Sequence, residues 1–571
     1  MSRRLLLPLL AGLVAAVCLL GRLGSLPLIQ PDEGRNAEVA REMQAAGAWL
    51  VPTYDGLPYL DKPAFYFRLV ALSMTAFGRN ETAARLPSAV AALALLALVY
   101  GFCRRAWGAR AAALAVLVAG TTPLVVAFAR IVIFDMVLAL CVTAAILAGY
   151  HAEELAGAAR RRWYLAGAAC SAVAVLTKGP VGFLLPLLVL GVFHLLDRNR
   201  AALRRLFAPL NVALFFAIVL PWFLGVAHQQ PDFPYYGLVE ESLHRFTTSA
   251  FHRTAPWWYY APVILAVLFP WSVLLPEAVA AAWRSRAVWP RADRLLVVWS
   301  VVVVLFFSIS QSKLPGYVLT AVVALGMLVA RVLDLAWERP GGRAERLVLR
   351  GTVALAVIAA AAAALLAAGH ATAGGLPALL HVRGGDLARL EPATLPLLWS
   401  MAALAAVAAA GRWRRDLRLV AGAFALPPLL LLTVGFGGAR AYAEASSAKG
   451  LAQRMPALPA TTELACLECL PNGLPFYLGR TLTLITKDGS ETTSNYVIWR
   501  LRRETEWPRG VVRLGDLDGW LAGRTHALFV LAAEGHRPAL DSLAARATGA
   551  VGEVAPGWWG ASVPAPAGGA R

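Results

Sequence analysis

Lysine is nearly missing from this chain of 571 residues: only Lys62, Lys178, Lys313, Lys449 and Lys487 stand among 53 basic side chains, and the rest are arginine. Charge of any kind is scarce, at 15% of residues against 59% hydrophobic. A chain so poor in charge cannot cover long apolar runs with a polar surface, which argues against a soluble fold. Histidine is sparse, at nine, and no close His/Asp cluster has the spacing that would demand a metal. Cysteine is limited to six. Cys18, Cys103, Cys141 and Cys170 lie in or near apolar runs and read as small packing groups, which leaves Cys466 and Cys469 as the one close pair.

What is plentiful is hydrophobic length. About thirteen stretches reach or approach the roughly 20 residues that cross a bilayer. They lie near 5–22, 87–103, 109–128, 131–150, 163–177, 180–196, 206–227, 257–281, 295–309, 315–335, 348–369, 394–410 and 418–436. Arginine clusters fall in every second connection, among them Arg104-Arg105, Arg160-Arg161-Arg162 and Arg412 to Arg418. That alternation is the positive-inside pattern, and it accounts for the net charge of +19 without a nucleic-acid partner. It puts the N-terminus in the cytoplasm and the C-terminal tail outside, with the first apolar run kept as a true span because no clear small-x-small cleavage site follows Leu20.

In this topology Lys62, Lys178 and Lys313 all face the outside, each in a proline-bearing break: Asp61-Lys62-Pro63, Thr177-Lys178-Gly179-Pro180 and Ser312-Lys313-Leu314-Pro315. Asp32, Glu33, Asp135 and the run Glu240 to Arg245 fall on the same side. Ionisable groups at a membrane face a cavity or a partner, so their collection at one interface predicts an external polar cleft. Residues 32–43 read as a short amphipathic helix, for which Asp32 is also an ordinary N-cap. Residues 63–77 are too short to span and read as an interfacial helix.

These fragments taken in order, Pro31-Asp32-Glu33-x-Arg35, Asp61-Lys62-Pro63, Ala84-Arg85-Leu86-Pro87-Ser88, Leu176-Thr177-Lys178-Gly179, Pro221-Trp222-Phe223, His244-Arg245-Phe246 and Ser312-Lys313-Leu314-Pro315-Gly316-Tyr317, resemble the lipid-phosphate-sugar-dependent glycosyltransferases of the GT-C superfamily. Within it, the likeness is to the bacterial aminoarabinose transferase and protein O-mannosyltransferase relatives, over roughly residues 1–440. Two positions depart from that pattern: Asn36 stands where Tyr is expected, and Asp61 where Glu is expected.

The resemblance implies an enzyme of the bacterial inner membrane that passes a sugar from a polyprenyl (undecaprenyl) phosphate, with inversion, to a lipid A, glycolipid or glycan acceptor outside. A protein Ser/Thr acceptor is the alternative, and a lipid-linked saccharide flippase is the alternative from a different class. Against the flippase stand the lack of an internal repeat and of a midplane charge series. A phosphate leaving group needs cations rather than a general acid, so Lys62, Lys178, Arg245 and Lys313 are the candidate phosphate-binding residues, with Arg35 as a possible bidentate partner. Each has an ordinary reading as an interfacial anchor. Asp135, Tyr59 and Tyr317 complete the substrate-binding set. By resemblance Asp32 is the base for a hydroxyl acceptor, or orients the substrates if the acceptor is already an anionic phosphate; Glu33 is read as structural. No cofactor is required. A divalent metal, if one binds, would take Asp61 and His244.

Beyond about residue 440 the apolar runs shorten to strand length, at 481–485, 527–531 and, as a further candidate, 496–501, mixed with a helical segment at 538–548. The expected organisation is therefore a helical membrane domain over 1–440, with a first external loop at 23–86, and a C-terminal periplasmic α/β domain over 441–571. An oxidising compartment favours a Cys466–Cys469 disulfide there.

Overall fold

All thirteen apolar stretches are helical, whole or in two pieces, in the computed structural model, which describes residues 3–248, 254–284, 290–372, 375, 394–504 and 506–565. Among the described residues seven helical segments are long and apolar enough to cross a bilayer, and three bent pairs raise the number to ten. The others are the shorter helices Leu6–Leu20 and Val181–Leu196 and the helix Gly157–Lys178, whose first turns carry Arg160, Arg161 and Arg162. The chain divides into two units. One comprises Met1–Leu23, Arg85–Phe223 and Ser242–Tyr442, the other Gly24–Ala84, Leu224–Glu241 and Ala443–Arg571. The segment Gly24–Ala84 is thus grouped with the C-terminal segment.

The first unit is an all-helical bundle. The helix Leu319–Glu338 is its core: the apolar window over Pro315–Glu338 is 89% buried, as expected of a helix that is hydrophobic all round, whereas that of Arg343–Ala371 is 22% buried. Arg3–Leu20 packs on Ala109–Thr121, close enough that a Cβ on Gly120 would lie 2.5 Å from Ala15 Cβ. The 66° bend between Ala109–Thr121 and Pro123–Ala129 has a local cause: Thr122 is extended, and Pro123 supplies no N–H to continue the ladder. The polar ends are tied by ion pairs such as Arg110–Asp334 and Arg205–Glu153.

The second unit joins the helices Asp32–Ala46 and Phe65–Phe77 and the hairpin β1 (Thr53–Tyr54)–β2 (Leu57–Pro58) to a six-stranded sheet. Its strands are β3 (Glu463–Leu467), β4 (Thr483–Thr486), β5 (Val511–Arg513), β6 (Leu528–Ala533), β7 (Ala550–Ala555) and β8 (Trp558–Val563), ordered β5-β4-β3-β6-β8-β7. The first four are parallel and β8 runs antiparallel to both neighbours. Leu467, Ile485, Leu528, Val530, Leu540 and Leu543 form its core, so the C-terminal segment is α/β.

Two expectations for this segment are corrected. Residues 496–501 are not a strand: they lie in the helix Asn495–Leu501, capped by Ser494 and by a carboxylate distant in sequence, described below. Cys466 and Cys469 are separate thiols. Glu468 between them takes a φ of 50°, which turns the chain back on itself. The two thiols are hydrogen-bonded, and Cys469 Sγ also donates to Leu531 O at 3.6 Å. Bonding to Cys469, followed by burial, pushes the Cys466 thiol well above its usual range.

Candidate active site

The helix Asp32–Ala46 presents Asp32 at its first position. Its side chain makes no cap hydrogen bond, and the N-cap is Pro31, so the plain capping role for Asp32 is not the one observed. Glu33 is buried, and its Oε2 accepts from Ile29 N–H at 3.0 Å, which ties the helix to the segment that precedes it. The Asp32 side chain is 57% exposed and held from one side only, by Arg35 Nη2 at 2.5 Å. Arg35 itself is 11% exposed. Its Nη1 donates to Thr493 Oγ1 at 2.7 Å and to Thr493 O at 3.1 Å, and its guanidinium lies 5.7 Å from the Tyr59 ring centroid. Burial opposes the Arg35 charge, but the neighbouring carboxylates of Asp32 and Asp61 hold the group protonated above its ordinary range. Burial likewise pushes the Tyr59 hydroxyl up, so it stays neutral.

Asp61 and Lys62 point to different partners. Lys62 Nζ is paired with Glu241, both side chains being nearly buried, and also donates to Asp61 O at 2.6 Å. The Asp61 carboxylate is buried, which raises it from the ordinary carboxyl range. It accepts from Tyr496 N–H at 2.7 Å, Asn495 N–H at 2.9 Å, Tyr236 OH at 3.0 Å and Ser494 Oγ at 3.3 Å. Four donors on two oxygens make it the cap of the helix Asn495–Leu501. Among the described residues no group of three or more His, Cys, Asp or Glu side chains is placed to hold a metal ion.

The remaining candidates lie in the helical unit. Lys178 Nζ donates to Asp135 Oδ1 at 2.5 Å and sits 5.0 Å from the Tyr317 ring centroid and 5.1 Å from that of Phe134. Asp135, Lys178 and Tyr317 are therefore one cluster. Lys313 is 7% exposed, its Nζ donating to Ser310 O at 2.5 Å, and burial lowers its basicity. It borders a cavity of about 510 Å³ whose other walls are Ala255, Trp257, Leu305, Ser308, Ile309 and Gln311. Arg245 starts the short helix Arg245–Thr247, and Phe246 O in that helix accepts Gln311 N–H at 2.9 Å, linking it to the turn before Lys313. His244 closes the π-helix Tyr236–His244. The segment before it contains the helical turn Phe233–Tyr235. In this π-helix the neighbouring glutamates diverge: Glu241 takes Lys62, while Glu240 accepts from Trp499 Nε1 at 3.3 Å.

Two partners were not legible in the sequence: Glu241, which pairs with Lys62, and Thr493, which accepts from Arg35 and donates to Asn472 Oδ1. One signal was legible: Ser494 followed by an apolar run is a helix-start signature. It marks the helix Asn495–Leu501, and with it the ordered Thr493.

An apolar helical bundle with a buried lysine–aspartate pair and a mixed α/β segment in the same chain is the build of a membrane protein with a second, sheet-bearing unit, and comparison with known proteins gives its class. A family model described as dolichyl-phosphate-mannose-protein mannosyltransferase matches residues 61–224, which include Lys62, Asp135 and Lys178. The undecaprenyl phosphate-alpha-4-amino-4-deoxy-L-arabinose arabinosyl transferase of Erwinia tasmaniensis is 33% identical over 391 residues, 68% of this chain and 69% of that protein. A second transferase of that name, from Proteus mirabilis, is 36% identical over 314 residues, 54% of this chain and 56% of that protein. Among solved structures, ArnT from Cupriavidus metallidurans bound to undecaprenyl phosphate has a TM-score of 0.82 at 27% identity, covering 99% of this chain and 98% of that one. Fold and relatives define a multi-span membrane glycosyltransferase of the GT-C type that uses a lipid-phosphate sugar donor. The chain belongs to the family of undecaprenyl phosphate-alpha-4-amino-4-deoxy-L-arabinose arabinosyl transferases.

Proposed function

We propose that the chain transfers 4-amino-4-deoxy-L-arabinose from undecaprenyl phosphate to lipid A, or to a closely related glycolipid, on the periplasmic side of the bacterial inner membrane. The observation that carries this reading is the near full-length likeness to a transferase solved with undecaprenyl phosphate. Lys62, Lys178, Arg245 and Lys313 are the cations for the donor phosphate. Their charge offsets the negative charge that grows on the leaving phosphate as the glycosidic bond breaks. Asp32, outward-facing and held by Arg35, takes the proton of a hydroxyl acceptor, or orients the sugar when the acceptor is an anionic phosphate. Tyr59 and Tyr317 line the substrate path. No step is routed through a metal. A divalent ion at Asp61 and His244 would have to compete with the four donors already on Asp61.

The reading includes thirteen crossings, a cytoplasmic N-terminus and a periplasmic C-terminal domain, supported by the alternation of arginines. In a cysteine-free background, single cysteines at Ala48 and Lys487 then react with an impermeant thiol reagent from outside, and one at Arg161 only after permeabilisation. Mass spectrometry of envelope lipids and proteins from cells with and without the protein tests the acceptor. Loss of an aminoarabinose adduct on lipid A is the expected result, whereas a hexose lost from protein Ser/Thr would favour the O-mannosyltransferase alternative.

A further inference from the structure

We infer that Thr493 and Asn472 are positioning residues for this reaction: they fix the Arg35 guanidinium, which in turn fixes the exposed Asp32 carboxylate. The inference rests on the reading of Asp32 as the base or orienting carboxylate. Among the described residues Arg35 is the one side chain that holds Asp32, and a side chain 57% exposed at the first position of a helix samples its rotamers unless a partner restrains it. Its partner, Arg35, is long and loses much freedom when fixed, yet it is pinned at both terminal nitrogens, to Asp32 by Nη2 and to Thr493 by Nη1.

Thr493 is itself over-determined. It adopts φ 52°, an unfavourable region for a β-branched residue, and in that conformation its hydroxyl and its carbonyl both face the same arginine nitrogen. The hydroxyl that accepts from Arg35 donates its one proton to Asn472 Oδ1 at 2.9 Å, and Asn472 Oδ1 also accepts from Tyr54 OH at 3.0 Å. Asn472 N–H is bound to Gln30 Oε1 at 3.0 Å. The relay runs unbroken from Gln30 and Tyr54 through Asn472 and Thr493 to Arg35 and Asp32, and among the described residues only Arg35 Nε in it is a buried donor without a partner. The next residue, Gly473, brings its backbone against Gly34, two positions after Asp32. The C-terminal segment therefore builds the base of the site and does not merely cover it.

The test uses the full-length purified protein with undecaprenyl phosphate-aminoarabinose and lipid A. Thr493→Val keeps the shape but deletes the hydroxyl. Loss of one hydrogen bond to a charged group predicts a fall in kcat of about tenfold with KM little changed. Thr493→Ser, which keeps the hydroxyl, restores most of the rate. Combining Thr493→Val with Arg35→Lys gives a protein no slower than Arg35→Lys alone, since both act through one contact. If Thr493→Val does not fold, Asn472→Ser is read by the same kcat and KM criteria. Wild-type kcat in the valine variant, an additive double variant, or a serine variant as slow as the valine one would each overturn the inference. An inactive Asp32→Asn together with a normal Thr493→Val sinks the positioning role alone, whereas a fully active Asp32→Asn removes the reading on which it rests.

Discussion

Lys178 Nζ and Asp135 Oδ1 meet at 2.5 Å although 43 residues separate them, with side chains 13% and 7% exposed. A pair so buried is costly to break from one side: removing either partner strands the other charge, at about 3–5 kcal/mol. Lys178→Ala is therefore expected to lower the thermal midpoint, while Lys178→Met combined with Asp135→Leu largely recovers it. If Lys178 also meets the donor phosphate, the double variant folds but is no longer protected by undecaprenyl phosphate against thermal unfolding. Full protection in the double variant would leave the pair a purely structural one.

Lys62 is neutralised by Glu241, so its availability to an anion depends on that partner. Lys62→Ala and Lys313→Ala should each weaken protection by undecaprenyl phosphate, and Lys62→Arg should fall between, because a planar fork does not replace a compact ammonium. Glu241→Gln is expected to strengthen donor binding several-fold by releasing the ammonium. Lys487→Ala, in the exposed loop after β4, is the control. Binding unchanged in all of these variants would place the phosphate elsewhere.

Gly34 carries a steric requirement. A Cβ there would lie 2.6 Å from Gly473 Cα, and backbone on the facing segment cannot yield as a side chain would. Gly34→Ala is predicted to destabilise the protein by about 1–3 kcal/mol and to slow transfer by displacing the turn that bears Asp32. Gly47, with open space at its Cβ position but φ 63°, is the comparison. Gly47→Ala should cost stability through backbone strain without touching transfer.

Cys466 and Cys469 are buried thiols, and a thiol held above its usual range is a poor nucleophile. Protein purified without reductant should take up alkylating reagent at both positions once unfolded and only slowly when native. A mass two hydrogens lighter, with neither residue alkylated, would instead show a disulfide.

Most helices were legible because apolar runs bounded by arginine leave little choice of structure in a membrane. The apolar runs at 481–485 and 527–531 each lie close to an observed strand, whereas 496–501, with the same strand-like pattern, is helical. The apolar run outweighed the local helix-start signal at Ser494, and the other half of the cap, Asp61 on the N–H groups of Asn495 and Tyr496, lies 434 and 435 positions away, where no local pattern records it. The roles of Glu241 and Thr493 were hidden for the same reason, since each acts through a partner brought close only by folding. The placing of three of the five lysines in proline-bearing breaks between apolar runs was legible; their partners were not.

The central claim is that this chain moves an aminoarabinosyl unit from a lipid phosphate with Asp32 at the reacting centre. The direct measurement is single-turnover transfer in proteoliposomes supplied with undecaprenyl phosphate-aminoarabinose and lipid A on the same side, comparing wild type with Asp32→Asn, which keeps the size of the side chain. The account predicts modified lipid A from the wild type, and a folded, donor-binding Asp32→Asn protein slower by on the order of a hundredfold or more. Transfer at the wild-type rate by Asp32→Asn, or donor that changes only its side of the membrane with no product, would contradict it.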